Sequence, residues 1–207
     1  MLIGGGFAYV HRQQLGLTSE HTPAADGSSD ETTPTGHPAN ISWQKVDRAS
    51  DGFRVEMPAN QSQIQVPAYN EAGNTDQVNM IFSNPDAETT FSVAWEDNPP
   101  VARYNKEVAD RTLEMARDGA VQRTQTTLVT EGANNTQGFP GREFTAKNSG
   151  GGVLNSRLIY AGTRLYMLTA SFPSAGARRE KDVNRFFNSF VMTSGGRGGS
   201  GASVKND

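Results

Sequence analysis

The chain contains no cysteine. That removes disulfides, thiolate nucleophiles, thiolate metal sites and the attachment point of a bacterial lipoprotein, and leaves the redox compartment unreadable. Histidine is almost as scarce. His11, His21 and His37 are all there is, and each precedes the segment in which a folding pattern begins. With neither residue inside that segment, the usual nucleophilic dyads and triads are excluded, as are typical zinc and non-haem iron sites. A basic excess is also missing. Up to Ser42, Arg12 stands alone against Glu20, Asp26, Asp30 and Glu31, which accounts for the whole net charge of -3; from Trp43 onward 18 basic and 18 acidic residues cancel. A surface so balanced does not attract a phosphate backbone, and nucleic acid is not an expected partner.

Hydrophobic residues are few as well, at 35% with a mean hydropathy of -0.59. The average conceals a segregation. Residues 1–42 and 194–207 are rich in Gly, Ser, Thr, Pro and Asn, whereas the middle is not, so 207 residues divide into one domain of ordinary size and two tails. Residues 1–12 open with MLIGGGFAYV and then His11 and Arg12. Ten apolar residues are too few to span a bilayer and lack the basic stretch that precedes a signal sequence. They read as the remnant of a membrane or signal-anchor segment whose start is truncated, with a mobile apolar terminus or a cleaved signal as alternatives. Residues 13–41, with TPAADGSSDETTPTGHP at their centre, are too polar to bury surface worth their ordering entropy and are expected to form a disordered linker. The domain is expected over 42–193 and a disordered Gly/Ser tail over 194–207. Asn40-Ile-Ser42, Asn60-Gln-Ser62 and Asn134-Asn-Thr136 match the glycosylation acceptor pattern, but chance alone supplies about two or three matches in a chain this rich in Asn, Ser and Thr.

Within the domain, 42–46 and 53–57 read as short strands about the turn Asp51-Gly52, followed by 63–67 and 77–82 around a loop holding Gly73 and Asn74. The stretch 90–96 alternates, with Phe91, Val93 and Trp95 on one face and Ser92 and Ala94 on the other. Pro99 and Pro100 open a helical run to about Asp118, with Val101, Tyr104, Val108 and Met115 on one stripe and Lys106, Asp110, Glu114 and Arg117 facing away; Gly119 closes it. Strands over 125–131, 142–146, 153–161 and 164–172 then form an antiparallel meander with turns at 132, 138–141, 150–152 and 162. The run 165–170 is apolar or small on both faces, as a central strand covered on both sides would be. A second helix covers 179 to about 190, where Val183, Phe186, Phe187 and Phe190 form a stripe that must be buried, and Val191 and Met192 add a last short strand.

An early hairpin, a helix, a long meander and a last helix written RFFNSF, together with W-x-x-V…GF-x-V-x-MP and the turn GFPGREF, resemble the Mog1/PsbP-like domains, many of them uncharacterised bacterial exported proteins. The resemblance runs from Trp43 to Met192 and rests on packing motifs: Phe53 and Met57, Gly138 to Phe144, and Phe186 to Phe190. It implies an α+β fold, an α/β/α sandwich with a central antiparallel sheet. It carries no family-wide catalytic residues, and such domains serve as binding or assembly modules in unrelated settings, so the fold selects no single role.

The remaining chemistry is carboxylate chemistry. Asp86/Glu88 and Glu96/Asp97 are the densest acidic spots; a calcium-like cation would use such pairs with carbonyls, while a solvated strand end, or an acidic preference just before a helix, accounts for them without a ligand. Glu143, beside Gly141 and Arg142, would need a second carboxylate at a defined distance to cleave a glycoside. Gly150-Gly151-Gly152 precedes a strand and lacks the helix and lysine of a phosphate loop. Arg178, Arg179, Lys181 and Arg185 cluster at the start of the last helix, either as a solvated face or as a contact for an acidic partner or anionic headgroups. The chain is therefore expected to be a non-enzymatic interaction or assembly module without a cofactor. It would be held extracytoplasmically, in the periplasm or at the cell surface, on its tether, and would dock on a membrane complex or exported protein. A ligand-binding carrier or a carboxylate-based hydrolase using a pocket of the sandwich is the alternative.

Overall fold

The computed structural model describes residues 40–69, 75–97, 105–162 and 164–193, with the side chains of 66–76 outside that description. The expectations for residues 1–12, most of the linker, Gly73 and Asn74, the diproline, Val101, Tyr104 and the Gly/Ser tail lie outside the described residues.

Ten strands and two helices follow in the order β1 (Trp43–Arg48), β2 (Phe53–Pro58), β3 (Ser62–Tyr69), β4 (Thr75–Ser83), β5 (Thr90–Asp97), α1 (Lys106–Arg123), β6 (Thr127–Thr136), β7 (Phe139–Lys147), β8 (Val153–Tyr160), β9 (Arg164–Phe172), α2 (Glu180–Ser189) and β10 (Val191–Met192). A short 3₁₀ turn at Ala49–Asp51 joins β1 to β2, with Gly52 in the left-handed region at φ 84°. Seven strands make one antiparallel sheet in the order β3-β4-β5-β9-β8-β7-β6. β1, β2 and β10 make a second, smaller sheet. The chain leaves the large sheet after β5, forms α1, and returns through the meander β6 to β9, which ends beside β5. β9 is thus the middle strand, covered on both faces, as its composition requires.

Each face of the large sheet has its own core. On one face α1 lays Ala109, Leu113, Ala116 and Ala120, spaced by four, three and four residues, over Met80, Ala94, Phe144, Leu154, Leu158, Leu165 and Met167. This buried stripe differs from the expected one, because alanines, which a reading by large side chains passes over, let the helix sit close to the sheet; Val108 and Met115 are only half-buried. The helix starts at Lys106, where Asn105 Oδ1 accepts the Val108 amide at 2.7 Å, and it continues past Gly119 to Arg123. A mid-helix glycine costs about 1 kcal/mol relative to alanine. Burial of Ala120 and Ala116 on either side of it offsets that cost.

On the other face, α2 and the small sheet cover β5, β8 and β9 with an aromatic cluster. Phe53 is fully buried against Trp95 (ring centroids 5.2 Å apart), Tyr166 (5.9 Å) and Phe190 (5.5 Å), while Phe91 meets Phe186 at 5.4 Å. Val183, Phe186, Phe187 and Phe190 are buried as their spacing demands. The domain is therefore an α+β sandwich in which an antiparallel sheet lies between α1 on one side and α2 with a three-stranded sheet on the other. No helix among the described residues is long and apolar enough to cross a membrane.

Two turns differ from their expected positions. Gly132 is not a turn but lies inside β6, opposite Glu143. The β6–β7 reversal falls at Gln137 and Gly138, with φ 53° and 88°, the pair of positive angles that a two-residue hairpin needs; Phe139, Pro140 and Gly141 already belong to β7. Gly141 is a glycine for another reason: a Cβ there would run into the backbone carbonyl of Leu158 on the neighbouring strand.

Candidate functional site

The basic residues at the start of α2 are brought close in sequence but are largely neutralised by acids of this chain. Arg178 pairs with Glu180 at 2.8 Å, Arg179 with Asp86 at 2.8 Å, and Arg185 with Glu56 at 2.7 Å while its guanidinium lies 4.7 Å from the Trp43 ring centroid. Of these four, Lys181 is the exposed one that pairs with no acid among the described residues. Three of the four cations thus tie α2 to the β4–β5 loop, to β2 and to their own helix.

The acidic candidates are structural by position. Asp86 closes its own turn, accepting the amides of Glu88 (3.0 Å) and Thr89 (2.7 Å) before it meets Arg179. Partial burial pushes its carboxyl up, but these hydrogen bonds and the Arg179 charge outweigh that and hold it below the usual aspartate range. Glu96 and Asp97 do not directly precede a helix, since both lie in β5 and α1 begins at Lys106; Glu96 is buried and Asp97 receives both Nε and Nη2 of Arg164 at 2.5 and 2.9 Å. Among the described residues no three metal-ligating side chains of the His, Cys, Asp and Glu types converge.

Glu143 sits on β7 facing α2. Its Oε1 accepts Nε and Nη2 of Arg157, both at 2.6 Å, and Nδ2 of Asn134 at 2.8 Å. Arg157 is itself fixed: Nη1 donates to the Phe187 carbonyl at 2.7 Å, and the guanidinium lies 5.0 Å from the Phe187 ring centroid. A carboxylate held this way is an oriented acceptor. On the opposite face of the same strands, Glu131 takes Arg117 at 2.6 Å and Arg142 at 2.9 Å. Burial raises the Glu131 carboxyl, and the two arginines more than reverse it, leaving it below the ordinary range.

These side chains surround two features that composition and periodicity did not disclose. One is a polar groove of about 380 Å³ beside α2, floored by Glu143, Thr145 and Asn155 and walled by Gly132, Asn134, Arg178, Glu180 and Phe187. The other is its rim. β6 is an edge strand of ten residues with neither lysine nor proline, exposed from Thr127 to Ala133, and its outer side pairs with no strand among the described residues. Edges of this length are usually shortened, charged or covered; here a bulge between Leu128 and Thr130 is the one such device. A smaller hollow of about 180 Å³ lies between the end of α1 and the Asn148-to-Gly152 turn, lined by Thr124, Thr126, Leu154, Ser171 and Phe172. A hairpin turn at 150–152 is what the glycine triplet forms, with Gly152 N donating to Asn148 Oδ1 at 2.7 Å. Sequence patterning could have found the long polar strand had Gly132 not looked like a turn.

Fold and site together define the class: an α+β sandwich domain with an open sheet edge over a polar groove. No family model matches the chain and no curated protein matches it. Among solved structures, the chain is similar to the solution structure of cyanobacterial PsbP (CyanoP) from Synechocystis sp., at 13% identity and a TM-score of 0.46, over 80% of this chain and 98% of that one. It is also similar to a crystal structure of a Pseudomonas aeruginosa protein of unknown function, at 15% identity and a TM-score of 0.32, over 66% of this chain and 85% of that one. Both are likenesses of fold and bring no activity with them.

Proposed function

We propose that this chain is a non-enzymatic interaction or assembly module that docks on a membrane complex or exported protein, held outside the cytoplasm by its N-terminal segment. The observation that carries the docking half is β6. Backbone donors and acceptors left unpaired among the described residues, along an edge without lysine or proline, are the chemistry of strand addition, in which a partner's extended segment completes the sheet. The carboxylates support the non-enzymatic half, because Glu143, Glu131, Asp97 and Asp86 are each committed to an arginine of the same chain. The tether rests on composition: an apolar start, a long polar stretch, then the domain.

The test uses the full chain in its native cells, with wild type compared to Ala133→Lys, a charge of the kind that natural edge strands use against pairing. Wild type is expected in the membrane or periplasmic fraction and in a complex larger than the chain. Ala133→Lys is expected to keep its fold and location and lose the complex. Recovery of wild type as a free cytosolic monomer, or an Ala133→Lys complex equal to that of wild type, contradicts the proposal.

A further inference from the structure

Gly132 is a glycine that the fold does not require. Its backbone does not occupy the left-handed region, and a Cβ built there would touch nothing within 4 Å. Glycine inside a strand weakens the strand, and where no turn or bulge needs it, it marks a place another group approaches closely. The missing side chain lies on the groove side of β6, directly across from Glu143. It leaves a notch in the rim through which the Glu143 carboxylate is reached from the open edge, and that side chain keeps 40% of its exposure despite two hydrogen bonds and an ion pair.

The carboxylate is also half used. All three donors, two from Arg157 and one from Asn134, converge on Oε1, and Oε2 takes none among the described residues. A group entering over Gly132 therefore meets one free, oriented carboxylate oxygen. Glu180, which also lines the groove, is spent on Arg178 at 2.8 Å, which leaves Glu143 as the acceptor that an entering cation meets. A single acceptor oxygen suits an ammonium, a compact point donor, better than a guanidinium, whose fork is matched by two oxygens. Phe187 and Asn155 give the walls an apolar patch for the methylene stem and a polar end.

We infer that β6 receives an extended segment of a partner protein bearing a lysine, whose side chain passes over Gly132 and donates to Glu143 Oε2. This rests on the docking reading above and adds the residue that is recognised. Main-chain pairing along 130–136 supplies affinity without sequence preference, and the notch supplies the preference.

The probe is a displayed library of random linear dodecapeptides selected on the full chain, with binding mapped by amide chemical-shift changes. The expected result is a set of peptides that perturb 130–136 and share one lysine. Their affinity falls at least tenfold with Gly132→Val, a substitution that leaves the thermal midpoint unchanged or raised, and about tenfold with Glu143→Gln or when that lysine becomes norleucine. Peptides that bind β6 with no preferred basic position, or that are indifferent to Glu143→Gln, overturn the lysine inference and leave edge docking standing. Peptides that never perturb 130–136 overturn both. Sedimentation showing a dimer of the free chain that Gly132→Val dissociates would assign the edge to a second copy and overturn the partner assignment.

Discussion

Replacing Phe53 by alanine tests whether the small sheet and the large one share a single core. The ring is fully buried and holds Trp95 of β5, Tyr166 of β9 and Phe190 at the end of α2 at 5.2, 5.9 and 5.5 Å, so one side chain joins three elements to β2. Truncating a buried phenylalanine costs about 3–5 kcal/mol. The three ring pairs, each worth about 0.5–1.5 kcal/mol beyond area, place this site in the upper half of that range. For a domain of this size about 3 °C is lost per kcal/mol, so a fall of about 12–15 °C in the thermal midpoint is expected. Phe53→Leu, which keeps most of the volume, is expected to cost about 1–2 kcal/mol. Urea unfolding followed by tryptophan fluorescence and far-ultraviolet dichroism measures both, since Trp43 and Trp95 lie in different sheets. Coincident transitions with an unchanged slope are predicted. A loss below 2 kcal/mol, or two separated transitions, would refute the single shared core.

Four further outcomes follow from local geometry. Gly141→Ala is expected to destabilise by about 1–3 kcal/mol, because its Cβ meets the Leu158 carbonyl. Gly132→Ala is expected to be neutral or stabilising by up to about 1 kcal/mol; denaturant titration compares the pair. Ser92→Ala is expected to raise stability by about 1 kcal/mol, since the Ser92 hydroxyl is buried on the α1 face of the sheet without a hydrogen-bond partner among the described residues. Glu131 is held below the ordinary glutamate value of about 4.5, so its contribution is present above that pH and lost as pH falls through the lower folded value. Wild-type stability should therefore decline below about pH 4.5, less steeply in Glu131→Gln, as urea midpoints measured from pH 7 to pH 3 would show.

Strands β5, β8 and β9 and the helix α2 were readable because large apolar residues mark both their period and their buried face. The stripe of α1 was not, since three of its four buried residues are alanine, and burial of a methyl group leaves little trace in a hydropathy pattern. Gly119 and Gly132 misled for a shared reason: glycine breaks elements on average, but packing against a sheet carries a helix past one glycine and pairing with β7 carries a strand through the other. The groove was illegible because it depends on register. Glu143 lies 14 residues from Arg157 and nine from Asn134, and only the β6–β7–β8 ladder places them on one face. The arginines at the start of α2 looked like a patch because their acids, Glu56 and Asp86, are far away in sequence.

The most direct test of the docking claim places a photocrosslinking amino acid at Ala133 on the open edge and, separately, at Lys45 on the small sheet, in the full chain in its native cells; both positions are exposed. Adducts with a protein partner from position 133 and none from position 45 are predicted. Adducts from position 45 with none from position 133 would contradict the account.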